Sequence, residues 1–102
     1  MSDDTEVEEM IVAKGLTAPR LTPSVIDSRI ADEAYHVFYG VLTVCVLTLL
    51  NGFYVTGESA CASPENFDAE IGRTIARQNA REKIWALEGY LLRDRIWCRD
   101  NF

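Results

Sequence analysis

Apolar and polar positions divide this chain into a short amphipathic stretch, two β-prone runs and one long helical pattern. Thr22-Pro23 has the form of a helix start, a hydroxyl N-cap followed by proline at the first helical position. Val25, Ile26, Ile30 and Ala34 then share one helical face, which predicts a short helix to about residue 34. The aromatic run Tyr35, His36, Val37, Phe38, Tyr39 ends at Gly40 and reads as either a strand or a connector. From Val41 to Leu50 the chain is apolar. Asn51-Gly52 interrupts it, and a second β-prone run extends from Phe53 to Ala62. Asn-Gly between two such runs predicts a hairpin whose tight turn places both residues at positive φ.

Both faces of the first run are apolar, so it should be covered on two sides. One helix covers one side, and the other asks for a second subunit. On the return strand Gly57 marks a bulge or a close backbone approach. Ser63-Pro64 predicts the start of a helix that continues to the C-terminus, with Ser63 as N-cap. Phe67, Ile71 and Ile75 recur every fourth residue. Ala80, Ile84, Leu87 and Leu91 continue that stripe, and Trp85, Leu92 and Ile96 form a second one. Gly72 and Gly89 each weaken a helix interior by about 1 kcal/mol relative to alanine, which suggests close packing against a neighbour. The pattern as a whole predicts an α+β fold. A hairpin-centred antiparallel sheet packs on a long C-terminal helix, preceded by a short helix, in an oligomer.

Charge sharpens the domain picture. The net charge is −6 over 102 residues. Residues 1–40 carry 8 acidic and 3 basic side chains, whereas residues 41–102 carry 8 and 7. Residues 1–21, with Asp3, Asp4, Glu6, Glu8 and Glu9 and little periodicity, read as an acidic, flexible leader. Met10, Ile11 and Val12 within it offer a segment to dock on a partner. Residues 22–102 form the single domain. An acidic chain with a nearly neutral core does not suit broad DNA binding. The longest apolar run, ten residues, is far short of the roughly 20 of a membrane span. With an acidic N-terminus where a signal peptide would be basic, the expected location is the cytoplasm.

Candidate chemistry is sparse. Cys45, Cys61 and Cys98 show neither metal-ligand spacing nor an even count, so reduced packing residues are expected, with no metal and no cofactor. His36, the one histidine, has no neighbouring nucleophile, so no catalytic residue is assigned and the protein reads as a non-enzyme. The last helix carries more information. Arg73, Arg77 and Arg81 form a row, Asn79 lies beside it, and Arg93, Arg95 and Arg99 cluster near the end. One reading is a solvated face, with pairs such as Arg77 to Glu82 and Glu88 to Arg95. The other is an anion site, because planar guanidinium groups grip phosphate with two hydrogen bonds. An aromatic residue such as Phe67 or Tyr54 would stack a base beside it.

The string NGFYVTGESACASPENFDAEIG at residues 51–72, followed by Ala76, Ala80, Lys83, Trp85 and LEGYLL at 87–92, resembles the gene-49/gene-66 family of small phage proteins. The resemblance covers about residues 41–95. It implies kinship with the first type of Thoeris anti-defence proteins. Those are sponges that hold cyclic ADP-ribose signals, and in some relatives cyclic oligonucleotides of the CBASS type, without cleaving them. The implied assembly is a dimer-based homo-oligomer extending to a hexamer, with pockets at subunit boundaries. Chemistry then nominates Asn66, Phe67, Arg73, Arg77 and Asn79 as ligand-binding residues, with Arg93 and Arg95 reaching in from a neighbouring chain. The alternative expectation is a protein–protein inhibitor of a host defence enzyme that acts through its leader.

Overall fold

A computed structural model describes residues 4–16 and 18–102. Its elements are α1 (Asp4–Ala13), α2 (Pro23–Ser28), β1 (Ile30–Phe38), β2 (Leu42–Leu49), β3 (Tyr54–Ala60), a 3-10 turn (Pro64–Asn66) and α3 (Ala69–Asn101). The fold is α+β, as the sequence pattern predicts. The three strands form an antiparallel meander in the order β1-β2-β3, and α3 crosses one face of β2 and β3.

Three boundaries differ from the sequence reading. The first helix stops at Ser28, and Ile30 already pairs with Leu49, so the expected extension to residue 34 is strand. Here eight ladder pairs override a weak helical periodicity. The last helix starts after Phe67, because the Asp68 carboxylate accepts the Ile71 N–H (2.9 Å), while Ser63 caps only the 3-10 turn and makes no side-chain bond. Asp4–Ala13 is helical where an irregular leader was expected. It buries no side chain and is joined to the body through ion pairs of Asp4 with Arg81 and Glu8 with Arg20.

The turns are exchanged as well. Tyr39 and Gly40 both have positive φ (55° and 71°), and the Val41 N–H reaches the Phe38 carbonyl (3.2 Å), so the tight turn joins β1 to β2. At Asn51-Gly52 only Gly52 is left-handed (φ 89°). The Leu49 carbonyl accepts from Gly52 and the Leu49 N–H donates to Phe53, which makes a three-residue loop with a glycine bulge.

The core lies between the sheet and α3. Thr43, Cys45, Leu47 and Leu49 of β2 point at the helix, with Val55 and Gly57 of β3 beside them. The helix answers with Gly72, Ala76, Ala80, Ile84 and Glu88, one buried residue every fourth position. Ala80 and Ile84 are the predicted stripe residues. Before them the stripe is shifted by one, Gly72 and Ala76 being buried where Ile71 and Ile75 were expected, and after them Glu88 is buried next to the expected Leu87. Ile71 and Ile75 stay 59% and 41% exposed. The cause is steric: a Cβ on Gly57 would overlap the Ala76 carbonyl oxygen and the Ala80 nitrogen, so the helix backbone lies directly on the strand. Only small residues fit there, and the larger isoleucines turn away. Thr43 packs against Gly72 from the sheet, fully buried and with its hydroxyl unpartnered. Gly89 has no such contact. Its nearest neighbour would be Leu21 at 3.9 Å, so close packing does not explain it.

The other face of the sheet carries Leu42, Val44 and Val46, flanked by Ala34, His36 and Phe38 on β1 and by Thr56 and Ala60 on β3. These β2 residues are half-exposed. Cys45 is a core residue, as expected, whereas Cys61 is half-buried and Cys98 is exposed.

Gly57→Ala is expected to cost about 3 kcal/mol, because backbone on both sides prevents relaxation. Gly89→Ala should instead add about 1 kcal/mol by improving helix propensity. Urea midpoints of the two variants check both signs.

Candidate ligand cleft

The helix α3 is 33 residues long and outruns the sheet. Glu88 is its last buried residue, and the following turns to Asn101 extend about 20 Å further at 1.5 Å per residue. Where the helix leaves the sheet, it diverges from the loop between β2 and β3. The resulting cleft has a volume of about 560 Å³, within the size range of small-molecule sites.

Leu49 and Leu50 at the end of β2 and Leu87 and Leu91 on α3 form its apolar walls. Glu88 lines its floor at 7% exposure, and its Oε1 accepts a hydrogen bond from Arg29 Nε (3.0 Å). Arg29 is itself fixed by the fold, since it caps α2 and its carbonyl accepts the Leu50 N–H (2.9 Å). The ion pair therefore ties α2, the hairpin loop and α3 together at one point. Phe53 and Tyr90 line the cleft from opposite elements and are 55% and 74% exposed. Asn51 and Arg95 complete the rim, and the Asn51 side-chain oxygen accepts the Phe53 N–H (3.0 Å).

Of the residues nominated from sequence, only Arg95 lines this cleft. Arg93 is exposed on the same helical extension. The other five lie at the opposite end. Asn66 sits in the 3-10 turn, and half-buried Phe67 lies beside Gly72. Arg73 is exposed. The Arg77 Nε donates to Glu33 (3.2 Å) and not to Glu82, and Glu88 pairs with Arg29 instead of Arg95. The Asn79 amide donates to the Glu58 carbonyl (2.8 Å) and fastens α3 to β3. Arg73 and Arg95 are about 33 Å apart along the helix. The seven residues do not meet within one chain. Arg81 is committed as well, donating to Asp27 (2.7 Å) and Asp4 (2.9 Å).

Sequence reasoning missed Glu88, Arg29 and the aromatic pair. The signal for Glu88 was present: it falls four residues after Ile84, a charge at a stripe position. Arg29 carried no local signal, because its partner is 59 residues away. Among the described residues no group of three His, Cys, Asp or Glu side chains is placed to hold a metal ion. No described helix is long and apolar enough to cross a membrane.

A second polar cluster couples β1 to α3. The Tyr35 hydroxyl donates to Glu33 Oε1 (2.6 Å), and Arg77 takes Oε2. The Tyr35 bond, helped by Arg77, holds the Glu33 carboxyl below its usual pKa. Burial first, and then the Glu33 carboxylate, pushes the Tyr35 phenol up. Burial likewise raises the Cys45 thiol. A depressed carboxyl favours the folded state above the unfolded pKa, and this contribution is lost as pH falls through the folded value. Tyr35→Phe should therefore raise the Glu33 pKa towards the ordinary value and reduce the stability lost on acidification. Carboxyl-detected NMR titration measures the shift.

Neither curated proteins nor solved structures yield a match to the chain. A family model described as the phage protein (N4 Gp49/phage Sf6 gene 66) family matches residues 21–96. That span runs from the approach to α2 through the cleft-forming part of α3, about three quarters of the sequence, and the chain belongs to this family of phage proteins.

Proposed function

We propose that this phage protein binds and holds, without cleaving, a cyclic nucleotide signal of bacterial immunity, a cyclic ADP-ribose isomer or a cyclic oligonucleotide. By removing the signal from the cytoplasm of the infected host it blocks defence of the Thoeris or CBASS type. The observation that carries this reading is the cleft at the end of the sheet, in a chain of phage origin. It combines apolar walls, two exposed aromatic rings and guanidinium groups at floor and rim. Such a signal has a flat base that stacks on aromatic rings and an anionic phosphate that pairs with guanidinium. A sponge must also bind tightly. A micromolar Kd corresponds to about −8 kcal/mol, and useful capture of a scarce signal lies beyond that.

Self-assembly is part of the proposal. The open face of the sheet presents Leu42, Val44 and Val46 to solvent, and the overhanging end of α3 exposes Leu91, Trp97 and Phe102. A chain of this size stabilises such surfaces by covering them with another copy. A dimer-based homo-oligomer also gives the separated arginines Arg73, Arg77, Arg93 and Arg95 a way to meet across a boundary.

The alternative, a protein–protein inhibitor of a host defence enzyme, is favoured by one observation. α1 is acidic, and its Val7, Met10 and Val12 side chains are exposed. Removing residues 1–16 separates the readings, because a sponge keeps its capacity and an inhibitor loses its contact.

The direct test mixes purified protein with a cyclic ADP-ribose isomer and with cyclic di- and trinucleotides. The flow-through is assayed, and the heated protein is then examined for released ligand. Depletion of one signal followed by its intact release is the expected result. Depletion of none at micromolar protein, or release of a cleaved product, overturns the proposal.

A further inference from the structure

We infer that the cleft is a nucleobase site selective for a base with an exocyclic amine, with Glu88 as the reading group. This deepens the sequestration reading and rests on it for the choice of ligand class. Glu88 occupies a core position of α3, four residues after fully buried Ile84, where an apolar residue would pack at no electrostatic cost. An ionised carboxylate there must be desolvated, and one ion pair repays that cost only in part when other acceptor positions remain. Arg29 Nε donates to Oε1, and among the described residues this is the one hydrogen bond the side chain makes. A carboxylate accepts about four hydrogen bonds and donates none. The remaining capacity lies at the floor of a cleft lined by leucine, so the complementary group is a flat apolar ring with an N–H edge.

Adenine, cytosine and guanine provide that edge through an exocyclic amine. Uracil does not, because its single ring N–H lies between two carbonyl oxygens that a carboxylate repels. Arg29 balances the charge of Glu88, so the site favours a neutral donor edge over a cation. The walls agree with this assignment. Phe53 and Tyr90 reach the cleft from the hairpin loop and from α3, and both keep most of their area in solvent. Rings held in this way have a face to offer a ligand. Arg95 on the rim, one helical turn beyond Leu91, is placed for the phosphate attached to the base. The order from floor to rim is carboxylate, aromatic rings, guanidinium. That matches amine, ring and phosphate in an adenine nucleotide.

The test uses the full-length, isotope-labelled protein titrated with millimolar AMP and, separately, UMP, followed by amide chemical shifts. AMP is expected to bind at least about tenfold more tightly than UMP, with shifts at Phe53 and at residues 87–91. Tyr90→Ala should weaken AMP by about tenfold through lost stacking. Tyr90 is exposed, so this variant does not endanger folding. Arg95→Ala should weaken AMP but leave adenosine unchanged. Glu88→Gln should reduce the AMP-to-UMP ratio where that variant folds, and the two rim variants decide the matter where it does not. Equal binding of AMP and UMP, shifts that map away from the cleft, or wild-type affinity in Tyr90→Ala overturns the inference. The two readings fail separately. AMP binding without capture of any cyclic signal removes sequestration and keeps the base site, whereas undiminished capture by Tyr90→Ala removes the base site and keeps sequestration.

Discussion

The rest of this structure depends on the direct contact between the backbone of α3 and the backbone of β3 at Gly57. Strand and helix approach so closely that no Cβ fits between them. That approach requires Ala76 and Ala80 on the facing side of the helix, and it fixes the rotation of α3 about its own axis. Once the rotation is fixed, every fourth residue from Gly72 to Glu88 must face the sheet. The isoleucines at 71 and 75 must then face outward, although burying an isoleucine stabilises a fold by about 2 kcal/mol. Steric access decides the register against the larger hydrophobic gain.

The same register determines where chemistry is possible. It delivers Glu88 to the point where the sheet ends, and Arg29 meets it there from the C-terminus of α2. The helix then continues without a sheet beneath it, which opens the cleft and leaves Tyr90 and Arg95 on its rim. At the other end, two of the three arginines that form a row in sequence are taken up by carboxylates of distant segments, while Arg73 stays exposed. Arg77 goes to Glu33, and Arg81 goes to Asp27 and Asp4. These are surface or half-buried pairs that contribute about 1 kcal/mol or less each. They position β1, α2 and α1 around the helix, and on the helical extension Arg93 and Arg95 stay exposed.

Local chemistry made some of this legible in the sequence. Thr22-Pro23 caps a helix where expected, the two β-prone runs pair across a loop at Asn51-Gly52, and Gly57 marks a close approach. Each of these follows from the shape or hydrogen-bonding capacity of one residue. The errors arose where a distant partner decides the outcome. Ile30 to Ala34 becomes strand because β2 is available to pair, and Tyr39 adopts positive φ because the Phe38–Leu42 pairing leaves only three residues to reverse the chain. Ala80 and Ile84 were legible as stripe positions, but nearer the helix start Gly72 and Ala76 were passed over for Ile71 and Ile75, because glycine and alanine carry little weight in a hydrophobic pattern. For the candidate site, Arg95 was visible. Arg29 with Glu88 was not, since a pair separated by 59 positions leaves no periodic trace.

Ligand binding is proposed where α3 leaves the sheet. Isotope-filtered NOE spectroscopy on the complex with a captured cyclic ADP-ribose isomer tests it most directly, because it reports which side chains touch the base. Contacts are expected from the adenine protons to the rings of Phe53 and Tyr90 and to the methyl groups of Leu87 and Leu91. Contacts confined to Phe67 and its neighbours at the start of α3 would contradict the proposal.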